Sequence, residues 1–104
     1  MITDQQIKDF LLFIEDVIGI EAETLLGRSQ NRLEKHTEGR ALVWLVLYER
    51  HNTTLSQLGI VFNNRDHSTI RRGIGYIAGL TETDMETAKM AARLIELANI
   101  FFNQ

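Results

Sequence analysis

Residues 41–48, ALVWLVLY, form an unbroken apolar run inside a sequence that is otherwise rich in charge. A run of that kind has to be buried, and in 104 residues there is room for one core to form around it. The valines would suit a strand. Two things favour a helix: the segment from Thr37 to Arg50 is long for a strand, and no neighbouring segment offers itself as a strand partner. The chain has no cysteine, which excludes a disulfide framework and any thiolate zinc site, and no proline to break a helix. The core must therefore form by packing helices around residues 41–48.

The remaining segments agree. Ile7, Phe10, Leu11, Ile14, Val17 and Ile18 recur at helical spacing, with Thr3 or Asp4 to cap the start and Gly19 to stop it. Residues 21–27, EAETLLG, read as one or two short turns ended by Gly27. Residues 28–36, RSQNRLEKH, lack an apolar period and read as a basic loop. A short helix over Leu55–Phe62 opens with a predicted capping box, Thr54 reaching forward and Gln57 reaching back. From Asp66 to Leu80 the residues Ile70, Ile74, Ile77 and Leu80 make one stripe, and Thr83 with Glu86 suggests a second capping box before a long last helix. The expected fold is all-α: one domain over residues 1–104, a compact bundle of about five or six helices.

Two short helices joined by a tight polar turn, the second amphipathic, fit a helix-turn-helix. Its second helix would begin with Asp66, His67, Ser68 and Thr69, and Arg71 and Arg72 follow on the face away from the isoleucines. Asp66 or Ser68 could simply cap that helix. A cap alone leaves the adjoining histidine, hydroxyls and arginines without a purpose, whereas residues at this end of a recognition helix reach base edges in the major groove. A carboxylate accepts from a cytosine amino group, so Asp66, His67 and Ser68 are the candidate base contacts. Thr69, Arg65, Arg71, Arg72, Arg40, Lys35, Arg32, Arg28 and Thr54 are the candidate backbone contacts. Charge is distributed accordingly. Arg28 to Arg72 holds eight basic and four acidic side chains, and the rest holds three basic and ten acidic, so a net charge of −3 conceals a basic middle.

No nucleophile–base pair, carboxylate dyad or phosphate-cradling glycine loop is visible, so an enzyme is not expected. The three histidines make no metal constellation, and no cofactor is expected. Neither a membrane-spanning run nor a signal peptide appears, so the expected location is the cytoplasm. Leu94, Ile95, Leu97, Ile100, Phe101 and Phe102 make the last helix apolar on more than one face. It either packs on the first helix or offers a seam to a second copy or a protein partner.

The stretch LSQLGIVFNNRDHSTI, residues 55–70, resembles the C-terminal DNA-binding domain of bacterial replication initiators of the DnaA family. The family hallmark is Leu-x-x-Ile-Gly-x-x-Phe-Gly-Gly-Arg-Asp-His-Thr-Thr-Val. Leu55, Leu58, Gly59, Phe62, Arg65, Asp66, His67, Thr69 and the apolar Ile70 keep it, Ser68 replaces a threonine, and Asn63 and Asn64 stand where the family has glycines. Asparagine tolerates the same left-handed turn. A looser likeness runs from Ile7 to Ile77. The resemblance implies base contacts from Asp66, His67 and Ser68, a backbone contact from Thr69, and a loop before the third helix that enters the adjacent minor groove. In that loop Arg40 matches a family arginine, Gly39 takes the place of a proline, and Glu38 falls where the minor-groove arginine belongs, with Arg28, Arg32 or Lys35 as substitutes. Gly75 and Tyr76 replace basic residues of the family's recognition helix. No ATPase module accompanies these residues. The expectation is a domain, either stand-alone (bacterial, phage or mobile-element) or part of a larger chain, that binds specific double-stranded DNA in replication initiation, its regulation or transcription control. The alternative is an adaptor that keeps the fold without the DNA affinity.

Overall fold

The computed structural model describes residues 1–27 and 34–103. Among these the chain is all-helical, with seven helices: α1 (Asp4–Phe13), α2 (Glu15–Ile18), α3 (Ala22–Leu25), α4 (Glu34–Arg50), α5 (Leu55–Val61), α6 (His67–Thr83) and α7 (Met85–Phe102). The count exceeds the expected five or six because the first stripe is interrupted at Ile14, whose backbone (φ −98°, ψ 0°) leaves the helical region. The ladder nevertheless continues across it, from the Ile14 N–H to the Phe10 carbonyl and from the Ile18 N–H to the Ile14 carbonyl. Thr3 and Gln6 form a reciprocal capping box for α1, and Gly19 stops α2 at φ 74°. Glu15 supplies what α3 lacks at its own start, its carboxylate accepting from the Ala22 N–H at 2.7 Å.

The central helix is α4, and residues 41–47 of the apolar run are all buried. It packs on α3, α6 and α7, so the run is surrounded by other helices. Its described part begins at Glu34, so residues 34–36, expected in a basic loop, are helical. They carry no apolar period because this first turn projects beyond the core, with Glu34 and Lys35 exposed. Asn52, at φ 57°, takes the left-handed position just past the end of α4 that glycine usually fills.

Two expected capping boxes turn out differently. Thr54 caps α5 by accepting from the Gln57 N–H at 3.0 Å. The Gln57 amide, however, reaches across to the Ile2 carbonyl at 2.7 Å and the Asp4 carboxylate at 3.2 Å, tying α5 to the start of α1. The cap of α7 is Asp84 rather than Thr83, its carboxylate accepting from both the amide (3.0 Å) and the hydroxyl (2.6 Å) of Thr87. Thr83 is left inside α6, with its hydroxyl on the carbonyls one turn back. A carboxylate at a helix N-terminus also gains from the helix dipole, which favours Asp84.

The first helix does cover the apolar end of α7. Phe10 lies 5.6 and 5.1 Å from the ring centroids of Phe101 and Phe102, and Phe13 lies 5.1 Å from Phe101. Leu94 and Leu97 are buried, while Leu12, Phe13 and Ile100 keep exposed apolar surface at this end.

His51, just past α4, packs its ring on Phe102 at 5.0 Å. Burial, and then the nearby charge of Arg50, hold its pKa below the ordinary 6.5. A depressed folded-state value means that the neutral ring is favoured by folding, so stability is full above the unfolded value and declines as pH falls through the folded one. Urea midpoints at about pH 7 and pH 5.5 should therefore differ, and His51→Gln should shrink that difference. An unchanged difference would contradict the assignment.

Gly79, in α6, has open space where a side chain would project. Gly79→Ala should raise stability by up to about 1 kcal/mol, read as a higher urea midpoint at unchanged slope.

Candidate nucleic-acid interface

Five residues connect α5 to α6. Phe62 is fully buried and stacks edge-on against Trp44 at 5.8 Å. Asn63 (φ 66°) and Asn64 (φ 55°) are both left-handed, a conformation that asparagine tolerates. Arg65 then returns its N–H to the Gly59 carbonyl at 3.0 Å. This return passes so close to α5 that a Cβ on Gly59 would lie 2.3 Å from the Arg65 carbonyl oxygen. Only glycine fits there.

Asp66 caps α6. One carboxylate oxygen accepts from the Thr69 N–H at 2.8 Å. Hydrogen bonds from the Thr69 amide and hydroxyl, followed by the charges of Arg72 and His67, hold the carboxyl below its ordinary pKa of 3.8. The capping role is thus real, and the capping carboxylate remains exposed. His67 and Ser68 are exposed in the first turn, and Arg71, Arg72 and Gly75 are exposed behind them. Arg72 folds back so that its Nε donates to the Ser68 carbonyl at 3.3 Å. The opposite side of the helix holds it in place, with Ile70 and Ile77 fully buried and Ile74 and Leu80 packed against the core. The cluster therefore sits on one exposed face, at the end of a helix fixed by its isoleucines.

The other candidates divide. Thr69 is half-buried, with its hydroxyl on Asp66. Arg65 lies with its guanidinium 5.9 Å from the Trp44 ring centroid. Thr54 is exposed at the start of α5, its hydroxyl oxygen taken up by the cap. Arg40 departs from expectation. Only 8% exposed, it donates from Nε to the Leu25 carbonyl at 2.7 Å and from Nη2 to the Thr24 carbonyl at 2.9 Å. The Thr24 carbonyl also accepts from the Gly27 N–H at 3.0 Å, so Arg40 adds to the pairing at the end of α3, ties α3 to α4 and is not presented to a polyanion.

Lys35 is not brought to the cluster either. It lines a groove with Glu38, Asp84 and Glu86, its ammonium next to Gly19. That groove lies by the far end of α6, which at 1.5 Å per residue is roughly 24 Å from His67. Glu38 lines the same groove. Arg28 and Arg32 lie outside the described residues. Among the described residues no three His, Asp or Glu side chains gather closely enough to hold a metal ion, and no helix is long and apolar enough to cross a membrane.

Sequence reasoning missed one contributor to this region, the half-buried Gly73, which lets α6 approach α4. A Cβ there would lie 2.6 Å from Cζ3 of Trp44. Its spacing to Trp44 carries no local signal, because the contact joins different helices. No model of a known protein family matches the chain.

Proposed function

We propose that this chain binds specific sequences of double-stranded DNA through a helix-turn-helix formed by α5 and α6, as a DnaA-like domain acting in replication initiation, its control or transcription. The observation that carries the reading is the exposed row His67, Ser68, Arg71 and Arg72 at the start of a helix whose other side is buried. Such a helix end enters a major groove with its first turn on base edges and its flanking cations on phosphate. Asp66 contributes its second carboxylate oxygen to a cytosine amino group, while the first keeps the helix capped. Phosphate contact falls to Arg71, Arg72 and Thr69, with Arg65 beside them. A second copy, if recruited, would dock where Leu12, Phe13 and Ile100 are exposed.

Capping and base reading by Asp66 are separable. Asparagine caps as well as aspartate does, but it would present an amide donor outward where the carboxylate presents an acceptor. Asp66→Asn should therefore leave stability nearly unchanged and move base preference, whereas Asp66→Ala should lose about 1 kcal/mol of stability as well. His67→Ala should weaken the preferred site by about 1–3 kcal/mol, and Arg71→Ala should weaken all duplexes alike. Anisotropy titrations of each variant on preferred and scrambled duplexes check this. A base preference that follows Arg71 and ignores Asp66 and His67 would sink the assignment.

A further inference from the structure

By the far end of α6, Ile18, Ile20, Leu42 and Met90 line a groove of about 520 Å³. Its apolar lining lies deep, since Ile18, Ile20 and Leu42 are buried. Carboxylates join them: Asp84 and Glu86 are exposed, and Glu38 is half-buried. Asp84 is occupied in capping α7. Among the described residues the side chains of Glu38 and Glu86 hold no ion pair or hydrogen bond. The one cation among the described lining residues, Lys35, has its ammonium beside Gly19 at the end of α2, where the last carbonyls of a helix attract it. Two carboxylates are therefore left unpaired beside an apolar floor.

We infer that this groove docks a segment of a partner protein that carries an arginine next to an apolar side chain. Clefts of a few hundred Å³ with an apolar lining and a few polar groups are where ligands of that size bind. The charge selects among them. Three carboxylates against one lysine repel nucleic acid and an anionic lipid surface alike. A hydrated inorganic ion gains nothing from isoleucine and leucine. An arginine matches both parts of the groove: its aliphatic stem covers apolar surface while its head stays at the edge. The guanidinium is also weakly hydrated and pairs with a carboxylate through two parallel bonds, which favours it over lysine. An apolar neighbour on the same segment fills what the arginine leaves open. The inference does not rest on DNA recognition, because the groove lies roughly 24 Å from His67 at 1.5 Å per residue.

The chain has three methionines, Met1, Met85 and Met90, so methyl labelling of methionine gives three signals, and Met90→Leu identifies the one in the groove. A terminally blocked Leu-Arg-Leu peptide is titrated at constant ionic strength beside the same peptide with citrulline, a neutral side chain of the same shape, in place of arginine. Spermidine serves as a cation without a peptide. The arginine peptide should move the Met90 signal saturably, and the citrulline peptide and spermidine should bind more weakly. Glu86→Gln and Glu38→Gln should each weaken the arginine peptide by about two- to fivefold, the range of an exposed ion pair, and leave the citrulline peptide unchanged. Glu49→Gln, at the other end of α4, should change neither. Equal binding of the arginine and citrulline peptides would overturn the inference, as would a Met90 signal that none of the probes moves. Spermidine binding as tightly as the peptide would reduce the groove to a site for small cations and overturn it too. So would an arginine peptide that binds both glutamine variants like the parent.

Discussion

Phe10→Ala should destabilise the fold by about 3–5 kcal/mol, the range for removing a buried phenylalanine. Phe10 is fully buried and lies between the α1 backbone and the rings of Phe101 and Phe102, so its loss opens a void where the first and last helices meet. Those flanking rings are themselves fixed, Phe101 against Phe13 and Phe102 against His51, which limits how far the site can collapse. A small domain is stable by about 5–15 kcal/mol in total, so the change would remove a large share of it. Phe13→Ala is the comparison, because Phe13 is 44% exposed and should lose far less. Urea unfolding of the two variants measures the contrast. Equal and small losses would mean that the α1–α7 seam does not hold the domain together.

The second large effect is expected from a single methyl group. In Gly59→Ala the new Cβ meets the Arg65 carbonyl oxygen, and backbone cannot swing aside as a side chain would. The turn must shift and the Arg65 N–H must loosen its bond to the Gly59 carbonyl. Overpacking of this kind costs about 1–3 kcal/mol and occasionally more. Because the displaced turn leads directly into Asp66, duplex affinity should fall by more than stability alone explains. Gly79→Ala, on the open side of α6, is the control, and it should raise stability without disturbing the turn. If Gly59→Ala binds duplex like the parent, the turn does not position the start of α6.

What could be read from the residues was whatever depends on near neighbours. The isoleucine stripe of α6, the left-handed Gly19 and the left-handed pair Asn63–Asn64 each follow from side chains a few positions apart. What could not be read depended on distant partners. Arg40 looks like an exposed cation in sequence, and only its bonds to the carbonyls of Thr24 and Leu25 make its burial tolerable. Gln57 looks like half of a capping box until the Ile2 carbonyl comes within reach. The start of α4 was hidden for another reason: its first turn lies beyond the core and so carries no apolar period. For the site itself, the Asp66–Arg72 cluster came from a local pattern, and the fit of Gly73 against Trp44 came from a contact between separate helices.

Duplex binding by the exposed start of α6 is read by fluorescence anisotropy of initiator-box and random duplexes between about 50 and 200 mM salt. Both duplexes should bind, with affinity that weakens linearly with log salt and is tighter on a preferred site, and the slope should fall by about one unit in each of Arg71→Ala and Arg72→Ala. A flat response to both duplexes at the lowest salt would contradict it.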